Sequence, residues 1–256
     1  MIARHRWIVV AALAALASAP LAARTFDEVS ARGIVSMCAN PDALPHASNK
    51  PDMPGFQVEI GRALAAALGL KLSVEWIVPR IRAGLVDCDM LLDTIADPQA
   101  QGPPLKLSHA YQKSGVALAW RTASQDMRGF GDIAPAQRVG VMVNSLASKL
   151  LGQRGVRTVP YAFETEMVQD LAKGDIDASA VSPATIAYYI HSHPAVGLRY
   201  VHAYDGEPEL RWNLAVGLRK SDDRLLDAVN AVLDKLIDDG TLARIYARYG
   251  VEYRKP

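Results

Sequence analysis

The side chains of this 256-residue chain that could do chemistry fall into a few short groups. Asn40, His46 and Ser48 crowd a Pro-rich loop after the apolar run Ile34–Met37. Such groups can orient a ligand, and a histidine can also move a proton near neutral pH; an exposed loop histidine is the plainer reading. Asp87, Asp89 and Asp93 share one face of a strand-like run, where solvation at a turn or an edge is the ordinary reason for acids. His191-Ser-His193 has a spacing that two metal ligands could share. Pro194 follows at once, however, and no Cys/His/Asp cluster lies nearby to complete a ligand set, so no metal is expected. Asn144 and Ser145 precede an apolar helical stretch. The free N–H groups of a helix start can hold an anion, and simple capping explains the same two residues. No Gly-x-Ser-x-Gly, phosphate loop or dinucleotide fingerprint occurs, and no catalytic residue is assigned.

The first 23 residues read as a processing signal. Arg4, His5 and Arg6 form a basic start, Trp7 to Leu16 an apolar core, and Ser18-Ala-Pro-Leu-Ala-Ala23 a small-residue exit. Together these predict a secretory leader cut after Ala23 and a periplasmic location. Loss of Arg4 and Arg6 moves the formal net charge from +1 to −1. A near-neutral chain gives no electrostatic footprint for nucleic acid. No later run is long and apolar enough to span a bilayer. An even pair of cysteines in an exported chain predicts a Cys38–Cys88 disulfide between neighbouring strands.

The elements that must position these groups alternate strand and helix, the order of an α/β fold with mostly parallel sheet. Strands are expected at 34–37, 72–77, 87–92 and 111–121. Helices are expected at 58–68 and near 81–83. A second set begins with a strand at 138–143 and a helix from Asn144-Ser145 to about 151. Strands at 156–160 and 176–181, and helices at 164–173 and 183–191, follow. A returning strand at 212–219 precedes closing helices at 222–238 and 242–249. The phrases Gly84-Leu-Val-Asp87 and Gly174-Asp-Ile-Asp177 show the same step twice: helix end, glycine, acidic turn, buried strand.

The opening Cys38-Ala-Asn-Pro-Asp-Ala-Leu-Pro45, the Gly55-Phe56 helix start and the C-terminal Asp239-Gly-Thr-Leu-Ala-Arg-Ile-Tyr-Ala-Arg-Tyr-Gly250 resemble the periplasmic solute-binding proteins of family 3. The resemblance covers nearly the whole mature chain. It implies a type II periplasmic-binding-protein fold with two lobes, each a mostly parallel sheet flanked by helices, and a two-strand hinge. Lobe 1 is expected at 25–120 plus 216–256 and lobe 2 at 121–215, with a ligand between them. Trp120 and Trp212 fall near the hinge, as cleft lining or as core.

Family members that bind amino acids clamp the α-carboxylate with an arginine. Here Thr94 and its followers lead to Gln101 at that place, and no arginine lies between Arg82 and Arg121. The family's carboxylate for the α-ammonium is replaced by Ser182. Two lost charge-assisted contacts of about 1.5–3 kcal/mol each make a zwitterion a poor ligand. The Cys-Ala-Asn-Pro opening is most similar to the XoxJ/MxaJ subgroup, encoded beside quinoprotein methanol dehydrogenases. That likeness implies a non-enzymatic accessory without a cofactor of its own. Its partner would be a PQQ-dependent methanol dehydrogenase, lanthanide-dependent forms included, or that enzyme's cytochrome c. Leu44, Pro45, Met53 and Pro54 are then candidates for a partner surface, or simply for local packing. The alternative is an ABC-transporter receptor for a neutral or non-amino-acid solute; a third is a periplasmic lyase, since a few relatives on this fold are enzymes.

Overall fold

Thr25 caps the first helix. Its hydroxyl accepts the N–H of Glu28, and the Glu28 carboxylate accepts that of Thr25, so α1 (Phe26–Arg32) starts in a reciprocal capping box. The structure is a computed structural model and describes residues 24–77, 86, 88–102 and 104–256. The expected leader, the short helix near 81–83 and Asp87 lie outside the described residues.

After α1 the first lobe continues through β1 (Ile34–Ala39), the short hairpin β2 (Asp42–Ala43) and β3 (Ala47–Ser48), and α2 (Phe56–Ala67). β4 (Lys71–Trp76), β5 (Met90–Ile95) and β6 (Leu105–Gly115) complete its first passage. The second lobe holds β7 (Ala117–Arg121), β8 (Arg138–Met142), α3 (Leu146–Gln153), β9 (Arg157–Tyr161) and α4 (Glu164–Lys173). It ends with β10 (Ala178–Val181), α5 (Pro183–Ser192) and β11 (Leu198–Val201). β12 (Arg211–Arg219), α6 (Asp223–Asp238) and α7 (Thr241–Ala247) return to the first lobe.

Each lobe has its own five-stranded sheet, ordered β4-β1-β5-β12-β6 and β11-β7-β10-β8-β9. β4, β1 and β5 run parallel, as do β10, β8 and β9, while β12 and β7 run antiparallel to their neighbours. Apolar faces of α2, α6 and α7 close the first core around Met37, Leu64, Val229 and Tyr246. Two smaller clusters pack either face of the second sheet.

The continuous apolar run at 111–121 is not one strand. It crosses between sheets at Gly115–Val116, and the chain returns beside it at Leu210–Arg211. Residues 117–120 thus belong with the second sheet and 211–215 with the first, unlike the boundaries expected from sequence. A Cβ on Gly115 would collide with the Leu210 carbonyl and the Tyr204 ring, so the two crossing strands approach as only glycine allows. Three elements had no clear sequence signal: α1, the β2–β3 hairpin and β11.

Cys38 and Cys88 form the expected disulfide, with Cα atoms 5.5 Å apart. Cys38 lies in β1, while Cys88 stands just before β5, two residues short of that strand. Asp89, next in sequence, is 1% exposed and is not solvated as expected. It accepts the Ser36 N–H at 2.7 Å and ion-pairs with Arg32 at 2.9 Å and Arg24 at 3.3 Å.

Candidate functional site

Two adjoining cavities share His46 and Asp93, an inner one lined by the first lobe alone and an outer one where the lobes meet. The inner one, about 270 Å³, lies beside Cys38 and is lined by Asn40, Gln57, Ile77 and Leu91 among others. The outer one, about 390 Å³, has Ile95, Trp212 and Leu214 on the first lobe's side. Leu146, Glu164 and Ser182 face it from the second lobe.

His46 is held by its backbone. The loop bearing it folds over the start of α2, so that the N–H groups of Phe56 and Gln57 donate to the Pro45 and His46 carbonyls at 2.9 Å. These are two of the donors that a helix start leaves unpaired. Gly55 makes the approach possible: its φ is +88°, and a Cβ there would strike the His46 backbone. The imidazole meets Phe56 edge-on at 4.9 Å between centroids. Burial lowers its pKa below the ordinary value, and the negative charge of Asp93 acts in the opposite direction.

Asp93 shares a face of β5 with Leu91 and Ile95, so strand alternation aims all three at the cavities. Glu164, the first residue of α4, enters from the other lobe. Its Oε1 accepts the Ser182 N–H at 2.8 Å, and its Oε2 accepts the Thr185 hydroxyl. Burial raises the Glu164 pKa, against the lowering effect of those two hydrogen bonds. Ser145 lines the outer cavity while capping α3, its Oγ accepting the Ser148 N–H at 3.1 Å.

Of the residues expected to line a cleft, Asn40, His46, Ser145 and Ser182 do so. The others sit elsewhere. Ser48 is buried at the end of β3, where its Oγ accepts the Lys50 N–H. Thr94 points to the opposite face of β5 and packs over Gly217, its buried hydroxyl without a hydrogen-bond partner. Gln101 follows a 3-10 turn, is exposed and lines neither cavity, because the turn swings it away from the strand end. Asn144, at φ +58°, is exposed outside both cavities. Trp212 lines the outer cavity, whereas Trp120 is buried in the second lobe's core.

The suggested partner surface is largely interior. Pro45 and Pro54 are buried and Leu44 packs on the first core; Met53 alone of the four is exposed. His191 and His193 are exposed, and no group of three metal-ligating side chains occurs among the described residues. Sequence reading set aside one acid of the site, Asp93, as solvated, and missed a second, Glu164. Asp93 was recognisable as the polar member of an otherwise apolar strand face. Glu164 carries no local signal, since only the meeting of the lobes brings it to the cavity. It also supplies a carboxylate beside Ser182, where the sequence reading expected only a neutral hydroxyl. No Lys or Arg lines either cavity among the described residues.

Residues 35–252 match the model of the bacterial extracellular solute-binding proteins, family 3, and the chain belongs to that family. It is 26% identical over 231 residues to a probable histidine-binding protein of Neisseria gonorrhoeae, covering 84% of this chain and 82% of that one. It also matches a membrane-bound lytic murein transglycosylase F of Yersinia pestis at 22% identity, spanning 87% of its own length but 47% of the relative's. Among solved structures, an ancestral cationic amino acid solute-binding protein superposes with a TM-score of 0.73 at 21% identity, over 88% of this chain and 98% of that one. The periplasmic binding protein XoxJ of Methylobacterium extorquens AM1 gives 0.70 at 19% identity, over 87% and 100%. At such identities the structures speak for the two-lobed fold alone.

Proposed function

We propose that this protein is a periplasmic receptor that holds a small solute between its lobes, other than an α-amino acid, for delivery to a membrane permease. One observation carries the reading: an interlobe cavity of about 390 Å³ with apolar walls and two carboxylates, and no described lysine or arginine to clamp an α-carboxylate. A ligand carboxylate facing Asp93 and Glu164 would find no lysine or arginine among the described lining residues, and burying such a charge without a partner is costly. Family membership supports solute binding itself. The test is to purify the protein from periplasm, denature it, and identify the released small molecule by mass spectrometry. Deletion should abolish uptake of that compound. A released amino acid, or unchanged uptake of the identified compound, overturns the reading.

A second reading is an accessory role with a PQQ-dependent methanol dehydrogenase, which the resemblance of the Cys38-Ala-Asn-Pro opening to the XoxJ/MxaJ subgroup implies. One feature favours it. Val143, Leu146 and Phe163 stand 53–64% exposed at the second lobe's strand ends, a surface that a protein partner could cover. Co-purification with the dehydrogenase at tens of micromolar, and a change in its activity, would transfer the case to this reading.

A further inference from the structure

Gln57 narrows the class of solute further, on the footing that a solute sits between the lobes as proposed above. It is the second residue of α2 and heads the helix face that Ile60, Gly61 and Leu64 bury, Gly61 lying against Met37 and Leu72 of the first sheet. The i, i+3, i+4, i+7 pattern calls for an apolar residue at its place. Only 7% of Gln57 is exposed, and it lines the inner cavity beside Cys38 and Ala39. Its backbone N–H donates to the His46 carbonyl, but its carboxamide makes no hydrogen bond to any described residue. A buried side-chain amide is ordinarily hydrogen-bonded, because leaving one unmet costs its desolvation without return. In the same cavity Asn40 uses its Oδ1 to accept the Asp42 N–H at 3.0 Å, which leaves its NH₂ group to donate.

We propose that the inner cavity is the head-group subsite of the cleft and takes an uncharged planar amide edge, a carbonyl beside an N–H, as in a primary amide, a lactam or a hydantoin. The Gln57 carboxamide carries an acceptor and two donors in one plane, so it can accept the ligand N–H and donate to the ligand carbonyl together. A ketone or a carboxylate meets only the donors, and an ammonium meets only the oxygen. The cavity, about 270 Å³, has room for such a group, since about 150 Å³ already admits benzene. The rest of the solute would lie in the adjoining cavity against Trp212 and Leu214, past the His46 that both cavities share.

The experiment is calorimetric titration of the mature protein with compounds that share one aromatic body: 3-phenylpropanamide, 5-benzylhydantoin, 4-phenyl-2-butanone, 3-phenylpropylamine and L-phenylalanine. The butanone replaces the amide NH₂ by a methyl group and keeps the carbonyl, and the amine reports any cation drawn to Asp93. The better of the two amides should bind about 10- to 100-fold more tightly than the ketone, the worth of leaving the Gln57 oxygen unmet. In Gln57→Met that preference should shrink to about threefold or less, since the variant offers neither donor nor acceptor. Without ligand, the variant should melt at the same temperature as wild type or higher, because an apolar side chain of similar shape replaces a buried amide that the fold does not use. A Tm lowered by more than about 5 °C would show the fold itself holding the carboxamide, and overturns the inference. If the ketone or the amine binds as tightly as both amides, or if the preference survives in Gln57→Met, the amide inference falls while a non-amino-acid solute stands. If phenylalanine binds best, both fall. Failure of both amides to bind at about 10 mM overturns the inference and leaves the receptor reading to the released-ligand experiment.

Discussion

The two lobes fasten a parallel strand, β1 in the first and β8 in the second, with the same device and bury it to different depths. In the first lobe Asp89 donates its N–H to the Ser36 carbonyl, and its carboxylate accepts the Ser36 N–H. In the second, Asp177 donates to the Arg138 carbonyl and accepts the Arg138 N–H at 2.8 Å. Asp89 is 1% exposed and held by Arg24 and Arg32 beside the disulfide, whereas the Asp177 side chain is 31% exposed with Arg138 as its ion-pair partner. The first lobe's half of the cleft therefore stands on a buried ionic and covalent base. The second lobe's half is built from helix starts, at Ser145, Glu164 and Ser182. Equal topology has not meant equal anchoring. The lobe that has two separate chain segments to hold together carries the stronger fastening.

That contrast is broken most directly at the two aspartates. Asp89→Ala should cost about 3–5 kcal/mol, because it strands the buried Arg24 guanidinium. In a domain this size that lowers Tm by roughly 6–20 °C. Asp177→Ala should cost about 1 kcal/mol, as an exposed pair with one backbone hydrogen bond does. Equal losses in thermal denaturation would refute unequal anchoring.

Removing the disulfide with a Cys38→Ala/Cys88→Ala double variant should come next in size. A cross-link closing a sequence separation of 50 restrains the unfolded chain, and its loss costs about 2–4 kcal/mol. Both cysteines stand on the first lobe, so hydrogen exchange should quicken there first. Even acceleration over both lobes would contradict independent cores.

A smaller effect separates the two walls by pH. The folded pKa of His46 lies below its unfolded value of about 6.5, so its contribution is present above pH 6.5 and is lost as pH falls through the folded value. The folded pKa of Glu164 lies above its unfolded value, so its contribution is present below about pH 4.5 and is lost as pH rises through the folded value. Among the described residues, Asp93 is the other titratable group on the shared cavity. Between pH 4.5 and 7, the Tm of wild type minus that of His46→Gln should rise with pH, and the Tm of wild type minus that of Glu164→Gln should fall. Slopes of the same sign would show that the two groups are not desolvated as described.

The legible parts of the fold were those with local punctuation. The helix Glu164–Lys173 has acids in its first turn and Gly174 in the left-handed conformation after it, and both ends were readable. The crossing at Gly115–Val116 was not, because apolar residues continue unbroken through it and only the sheet they join changes. α1 was hidden at seven residues, too short for periodicity to register. For the site, counting along the chain found Ser182 but misplaced Gln101, since a single 3-10 turn redirects every later side chain. Glu164 needed the second lobe folded onto the first.

The central claim is that the cleft holds a solute other than an α-amino acid. A thermal-denaturation screen of the mature protein against each common L-amino acid tests it most directly. A ligand at 100 times its Kd stabilises a fold by about 2.7 kcal/mol, a shift of roughly 5–10 °C here. The account predicts no shift with any of them at 1 mM. A shift of that size with one, reversed by Asp93→Asn or Glu164→Gln, would contradict it.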